Sequence, residues 1–255
     1  NFYRDKGLTN YVEYCYYVKT VGHYSLPGLV DPLINFSQLT CDTPIDNVPP
    51  CKPVLSVYTD CEQITNDLGM YLPYDSCSYD AVKFYIYYTP PGEENALLID
   101  SVDYVVNDTT YYLHKDINSV VGCYYVTAID LVGNISEISN IVCIGYEECP
   151  IYELPNVFTP NGDKWNQLFV PMGKTPSGEP TNPKANVSRI DMTIMNRWGK
   201  TMYTTTDPEI NWDGRNQNNN EECPNGVYYY VCDVNIITLK GEEKIVMKGS
   251  VTIIR

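Results

Sequence analysis

Histidine is nearly missing from this chain. His23 and His114 are the only two in 255 residues, and they lie far apart. No Cys-x2-Cys pair occurs either, so the ligand spacing of a structural zinc site is absent. Nucleophilic catalysis needs a base held against a serine or cysteine. No such grouping, no Gly-x-Ser-x-Gly elbow and no distinctive pair of carboxylates is present. The triplet Gly173-Lys174-Thr175 lacks the first glycine of a phosphate loop, whose place is taken by Leu168. These absences argue against an enzyme and against a cofactor. Basic residues are also scarce, 17 against 32 acidic ones, for a net charge of -15. Such a chain repels phosphate backbones, which speaks against nucleic-acid partners and leaves a solvated acidic surface. No apolar run reaches the ~18 residues of a membrane-spanning helix, so nothing reads as crossing a bilayer. No signal peptide is visible, and Asn1 opens inside a strand-like pattern, so the chain is expected to be the tail of a longer protein.

Tyrosine is what the chain has in abundance, 24 residues against 5 phenylalanines. It comes in runs, as in Tyr16-Tyr17, Tyr87-Tyr88, Tyr111-Tyr112, Tyr124-Tyr125 and Tyr228-Tyr229-Tyr230. Neighbours on a strand point to opposite faces, so one tyrosine of each pair packs inward and the other covers the outside. Aromatic and β-branched residues favour strands, and no helical period is sustained. The expected fold class is all-β, in tandem antiparallel β-sandwiches. In the last hundred residues Ile190, Met192 and Ile194 share one face. Val227, Tyr229 and Val231 alternate with Tyr228, Tyr230 and Cys232, and Lys240-Gly241 reads as a hairpin turn.

There is an internal repeat. Cys15-Tyr16-Tyr17-Val18 recurs as Cys123-Tyr124-Tyr125-Val126, and each copy is followed by a turn and a second cysteine, Cys41 or Cys143. The second copy, with Tyr125-Val126-Thr127-Ala128-Ile129-Asp130, resembles the F strand, loop and G strand of fibronectin type III domains. The first is the same hairpin with a longer loop. Asp46-Asn47-Val48-Pro49-Pro50 is a stiff proline hinge. Three domains are therefore expected: residues 1–48 as the last strands of a fibronectin-like domain, 49–147 as a complete one, and 148–255 as a third domain.

The third domain carries ordered phrases: Leu154-Pro155-Asn156-Val157-Phe158-Thr159-Pro160-Asn161-Gly162-Asp163, Asn196-Arg197-Trp198-Gly199, Trp212-Asp213-Gly214, a glycine turn at Gly226, and an end on Gly249-Ser250-Val251-Thr252-Ile253-Ile254-Arg255. They resemble the gliding-motility-associated C-terminal domain of Bacteroidetes surface proteins, the type B sorting module of the type IX secretion system. The resemblance implies an immunoglobulin-like sandwich that directs export to the cell surface. It also implies two partners, the secretion machinery and a PorP/SprF-type outer-membrane β-barrel. The fibronectin-like domains would be a stalk. The alternative is an adhesin that grips a glycan or host protein through its tyrosine-rich surface; outward tyrosines gathered in one patch would favour it. Ser250 to Arg255 is expected as an edge strand open to pairing. Asp100-Ser101-Val102 and Asp108-Thr109-Thr110 resemble the Bacteroidetes O-glycosylation pattern.

Ten cysteines make an even count and imply an oxidising, extracytoplasmic compartment. Cys15–Cys41 and Cys123–Cys143 should each close an F–G hairpin, and Cys223 and Cys232 flank the Pro224-Asn225-Gly226 turn. For the rest, Cys51–Cys77 with Cys61–Cys149 is favoured, with Cys61–Cys77 and Cys51–Cys149 left open as the alternative. Asn161, Asp163 and Asn166 resemble half of a calcium loop, weakened by Lys164 and Gln167, which stand where the family carries glycine and aspartate. An Asx-rich turn is the plainer expectation, so no metal is assigned. Trp198 and Trp212 are expected to fill the core.

Overall fold

The computed structural model describes residues 2–73, 77, 79–172 and 184–255, so the Gly173-Lys174-Thr175 triplet lies outside the described residues. The chain divides into two compact units, Asn1–Val48 and Pro49–Arg255. Among the described residues nothing helical exceeds the 3₁₀ turn Tyr146–Glu148, and no helix is long and apolar enough to cross a membrane.

The first unit is an interrupted two-stranded ribbon. β1 (Tyr14–Tyr16) pairs with β4 (Thr40–Asp42), and β2 (Lys19–Gly22) pairs with β3 (Leu33–Phe36). Cys15 stands directly opposite Cys41 and is bonded to it. No described residue of this unit is buried. Two strands have no second layer to bury a face against, so Tyr17, Val21 and Phe36 stay exposed.

In the second unit, β5 (Val54–Asp60), β6 (Thr65–Tyr71) and β9 (Thr110–His114) form a three-stranded antiparallel sheet. Facing it are β7 (Ala81–Thr89), β8 (Leu97–Asp103), β10 (Gly122–Asp130) and β11 (Val142–Ile144), in the order β11-β10-β7-β8. This is the three-plus-four sandwich that the fibronectin resemblance implies. Alternate residues Leu68, Met70, Phe84, Ile86, Tyr124, Val126 and Ala128 fill its core. The Tyr124 hydroxyl is satisfied inside, accepting from Asn66 Nδ2 at 2.9 Å and lying 2.9 Å from His114 Nδ1. His114 is thus a packed core-edge residue, and burial lowers its pKa.

The remaining strands are β12 (Val157–Phe158), β13 (Val187–Met195), β14 (Thr201–Thr205), β15 (Gly226–Thr238) and β16 (Gly241–Ile253). They make one five-stranded sheet in the order β12-β16-β15-β13-β14, with β12 parallel to β16 and the other pairs antiparallel. Ile190, Met192 and Ile194 face inward together with Tyr228, Tyr230, Cys232 and Val234. The covering layer is irregular chain held by the isolated bridges Glu153↔Met172, Phe169↔Trp212 and Arg215↔Glu222. One expectation is corrected here. The stretch Ser250 to Arg255 is not open throughout: from Thr252 to Ile254 it is covered, because β16 lies between β15 and β12 at Thr252 and Ile253. The Thr252 amide donates to Asn156 O and the Ile254 amide to Phe158 O.

The sandwich and the five-stranded domain of this unit are joined without a free linker. Cys61–Cys149 ties the β5–β6 turn to the connecting segment. Asn186 accepts from Ser119 Oγ at 2.8 Å, donates to Tyr146 O at 3.1 Å, and its carbonyl accepts the Ile237 amide. Ala185 is buried with the fibronectin-like core.

The structure also contains Cys15–Cys41, Cys51–Cys77 and Cys123–Cys143. Cys223 and Cys232 are not bonded to each other; both are buried free thiols. The reason is strand rise. Cys232 lies six positions into β15, about 20 Å from its start, whereas Cys223 stays at the base with its amide on Gly214 O. A disulfide spans Cα atoms no more than about 7 Å apart.

Candidate functional site

Four of the sequence phrases meet at one end of the five-stranded sheet. β12 places Phe158 in the core, with Pro155 and Asn156 leading into the strand and Asn156 O holding the end of β16. Trp212 is fully buried against Phe158, Phe169, Tyr203 and Tyr228, with ring centroids 5.4–6.5 Å away. Its indole N–H is satisfied by Arg215 O at 2.8 Å. Asp213 turns the chain by accepting the Arg215 amide. Gly214 follows at φ +78°, and a Cβ there would lie 3.1 Å from Arg255 Nη2, 3.2 Å from Pro160 Cγ and 3.3 Å from Phe158 Cζ. Only glycine fits both the backbone and the space.

Arg255 completes the group. Its guanidinium donates to Gly214 O at 3.0 Å and to Cys223 O, so the final residue clasps two turns of the covering layer. A fork of fixed N–H groups suits two carbonyls held apart in this way. Gly226, at φ +146°, opens β15 opposite Ile253. Gly249 sits under the Tyr230 ring, where a Cβ would collide with the phenol. Neither Tyr228 nor Tyr230 was singled out from sequence as a site residue, although the β15 alternation placed both on one face. Burial pushes the Tyr228 phenol up to about 12, and its hydroxyl donates to Pro224 O at 2.9 Å.

Asn196 to Gly199 forms the β13–β14 turn. Asn196 Oδ1 accepts the amides of Trp198 and Lys200, both at 3.0 Å, and Gly199 takes φ +77°. Trp198 rides the tip of this turn and is 74 % exposed, which corrects the expectation that it fills the core. A side chain at a hairpin tip lies beyond the sheet that would cover it. The Arg197 guanidinium stacks on it at 4.1 Å. Beside them lies a cleft of about 260 Å³ bordered by Met202, Pro224, Gly226 and Tyr228. Tyr228 thereby links this turn to the buried Trp212.

The Asn161–Gln167 loop is organised around an amide. Gln167 Nε2 lies 2.9–3.3 Å from four oxygens: Thr159 O, Asn161 Oδ1, Asp163 Oδ1 and Trp165 O. Gly162 N–H returns a bond to Gln167 Oε1. The Trp165 amide, then the Asn161 side chain, hold the Asp163 carboxyl below its ordinary range. Asn161 and Asp163 are therefore brought together, around the Gln167 side chain. Asn166 contributes its backbone carbonyl, to the Thr159 amide.

Of the glycosylation-like sites, Thr110 is buried, with its hydroxyl taken by the Val105 amide. Thr109 and Ser101 are half-buried.

Residues 152–253 match the family model of the CHU_C Type IX secretion signal domain. The match spans the buried phrases and stops two residues before Arg255. The signal domain so delimited is the five-stranded sheet with its covering layer. No curated protein matches the chain. Among solved structures, the FN1–FN3 domains of chicken CNTN1 align at 13 % identity and a TM-score of 0.30, over 96 % of this chain and 79 % of theirs. A hypothetical protein of Pyrococcus horikoshii OT3, PH1083, aligns at 12 % identity and 0.29, over 36 % and 87 %. At these scores neither alignment carries an argument, and the fold rests on the strand registers.

Proposed function

We propose that this chain is the export and surface-attachment region of a secreted protein carried by the type IX secretion system. In this reading the signal domain is the address, and the fibronectin-like sandwich is a stalk welded to it. The observation that carries the reading is the clasp of Arg255 on the Gly214 and Cys223 carbonyls, inside a domain matched as a type IX signal. The end of the domain that carries Gly214 and Cys223 is then held only when the domain is folded through Arg255. A PorP/SprF-type outer-membrane barrel is the proposed docking partner. The cell surface is the proposed destination, and these residues are proposed to do no catalysis.

Exposed tyrosines of the second unit divide between the two readings: Tyr58, Tyr71 and Tyr111 share the outer face of the three-stranded sheet, as an adhesin would require, whereas Tyr146 on the connecting segment and Tyr229 on the signal domain lie apart from them. Tyr87 and Tyr125 stack on each other at 4.7 Å and are half-buried. The test is a reporter with a signal peptide fused to residues 49–255, expressed with the cognate barrel. Surface display is expected, and Arg255→Glu should leave the reporter in the periplasm. Display without residues 152–255 would sink the reading.

A further inference from the structure

The disulfides divide the chain into stretches that carry tension and stretches that do not. Cys61–Cys149 joins residues 88 apart in sequence, and Cys15–Cys41 joins residues 26 apart. The shortest covalent path along the chain therefore runs from Asn1 to Cys15 and crosses to Cys41. It continues through Cys51 and β5 to Cys61, crosses to Cys149, and enters the signal domain. β6 to β11 all lie off that path, inside the loop that Cys61–Cys149 closes. Cys51–Cys77 and Cys123–Cys143 offer no shorter route. β5 is the one sandwich strand on the path. A strand rises about 3.3 Å per residue, close to the roughly 3.5 Å of a fully extended chain, so β5 has almost no length to release. The signal domain differs. Its two cysteines, Cys223 and Cys232, are free thiols, so all of it lies on the path to Arg255.

We infer that Cys61–Cys149 is a mechanical shunt, which makes the fibronectin-like sandwich inextensible under tension between the ends of the chain. The work done by a pulling force is the force times the separation gained. β5 is extended before any load acts, and beyond Cys61 the tension leaves the sandwich through the bridge. Unfolding β6 to β11 separates the ends by almost nothing, so load does not speed it. Unfolding of the signal domain does lengthen the path, so that domain is the part of the second unit that yields. Any bridge closing a long loop would restrict the unfolded chain. This one also joins the end of the first sandwich strand to the segment that leaves for the signal domain. A stalk so built keeps its length and hands the load to its anchor. That use rests on the stalk reading above, whereas the shunt itself follows from connectivity.

The test holds the full 255-residue chain by its two ends in optical tweezers, first oxidised and then with dithiothreitol. The reductant opens each bridge by exchange, leaving two protein thiols and its own cyclic disulfide. The fully stretched chain should lengthen by about 400 Å on reduction, about 300 Å of it from Cys61–Cys149, at roughly 3.5 Å per residue. Cys61→Ser combined with Cys149→Ser, kept oxidised, should be longer than the oxidised parent by only about 150 Å. Cys51–Cys77 and Cys123–Cys143 then become the shortcut. On a rising force the oxidised parent should show the step of the signal domain and none from the sandwich, whereas the double variant shows both. A bridge off the load path would lower the melting temperature on removal but leave the stretched length unchanged. Equal lengths for the oxidised and reduced parent, a sandwich step of about 300 Å in the oxidised parent, or no gain in the double variant would overturn the proposal. The reduced parent carries no substitution, so this arm does not depend on how the variant folds. Failure of the reporter fusion to reach the surface counts against the export reading alone and leaves these lengths as they are.

Discussion

Two ribbons with the same sequence phrase have opposite fates. Cys15-Tyr16-Tyr17-Val18 and Cys123-Tyr124-Tyr125-Val126 both run antiparallel to a second strand, with the cysteines directly opposite at a Cα separation of 4.0 Å. Tyr16 is 42 % exposed and its hydroxyl reaches Asp5, whereas Tyr124 is wholly buried with its hydroxyl bonded to Asn66. Val18 is exposed and Val126 buried. Local sequence therefore sets pairing and register, and burial depends on whether another sheet lies over the ribbon. The first copy has no such cover within its unit; the second lies under β5, β6 and β9. Cross-strand bridging without a core leaves the first ribbon dependent on its disulfide and on strand pairing alone.

The largest effect that would break this comparison is Tyr124→Ala. It should cost about 3–5 kcal/mol, because a cavity opens and Asn66 loses a partner. Tyr16→Ala should stay within ~0.5 kcal/mol. Urea denaturation of the two variants measures both, and equal costs would show that the ribbons are equivalent. Replacing Cys15 and Cys41 by serine should remove about 2–4 kcal/mol from the first ribbon. Its amide protection should vanish, while the same change at Cys123 and Cys143 leaves β10 protected by β7. In the signal domain, Gly214→Ala should cost about 1–3 kcal/mol, from the positive φ and the crowding against Arg255, Pro160 and Phe158. A thermal melt reads this directly.

Alkaline titration sharpens the contrast further. Burial raises the Tyr88 and Tyr228 phenols to about 12 and raises Tyr124 as well, while a free tyrosine titrates near 10. A raised folded value means that the protonated phenol is the stabilised form. Its contribution is complete below pH 10 and is lost as the pH climbs from 10 toward 12. Circular dichroism should report cooperative loss of the second unit in that window. Smallest in energy is thiol labelling. Cys223 and Cys232 should resist alkylation in the native chain and react only in denaturant, since burial lifts both thiols and to about 12 for Cys232. Labelling of either in native buffer would show that the core around Trp212 opens.

Strand periodicity, the tyrosine alternation and the hairpin cysteines were readable in the chain because each is a local property with a two-residue period. The β13 and β15 faces came out as the alternation required, and so did the register at Cys123↔Cys143. The proposed Cys223–Cys232 bridge failed for a physical reason. Sequence distance ignores the direction taken by a 13-residue strand, which carries one cysteine away from the other. Trp198 and Trp212 sit in similar tryptophan–glycine phrases, yet one rides a hairpin tip and the other is the centre of the core. No local signal separates them. Gln167 was read only as a lost carboxylate, because its contacts with Thr159, Asn161, Asp163 and Trp165 form only when the loop closes.

The sequence by itself determined that this chain is β-structured, disulfide-linked and acidic, and that its last hundred residues carry the phrases of a secretion signal domain. The first three follow from composition, period and spacing, and the last from the resemblance of its phrases to a known family; none needs knowledge of what lies opposite. Only the tertiary structure decided that Arg255 clasps Gly214 and Cys223, and that the terminal strand lies inside the sheet. Those outcomes depend on strand order. An order of β12-β16-β15-β13-β14 puts the domain's last strand between its first and its next-to-last, and no local pattern encodes which strands become neighbours.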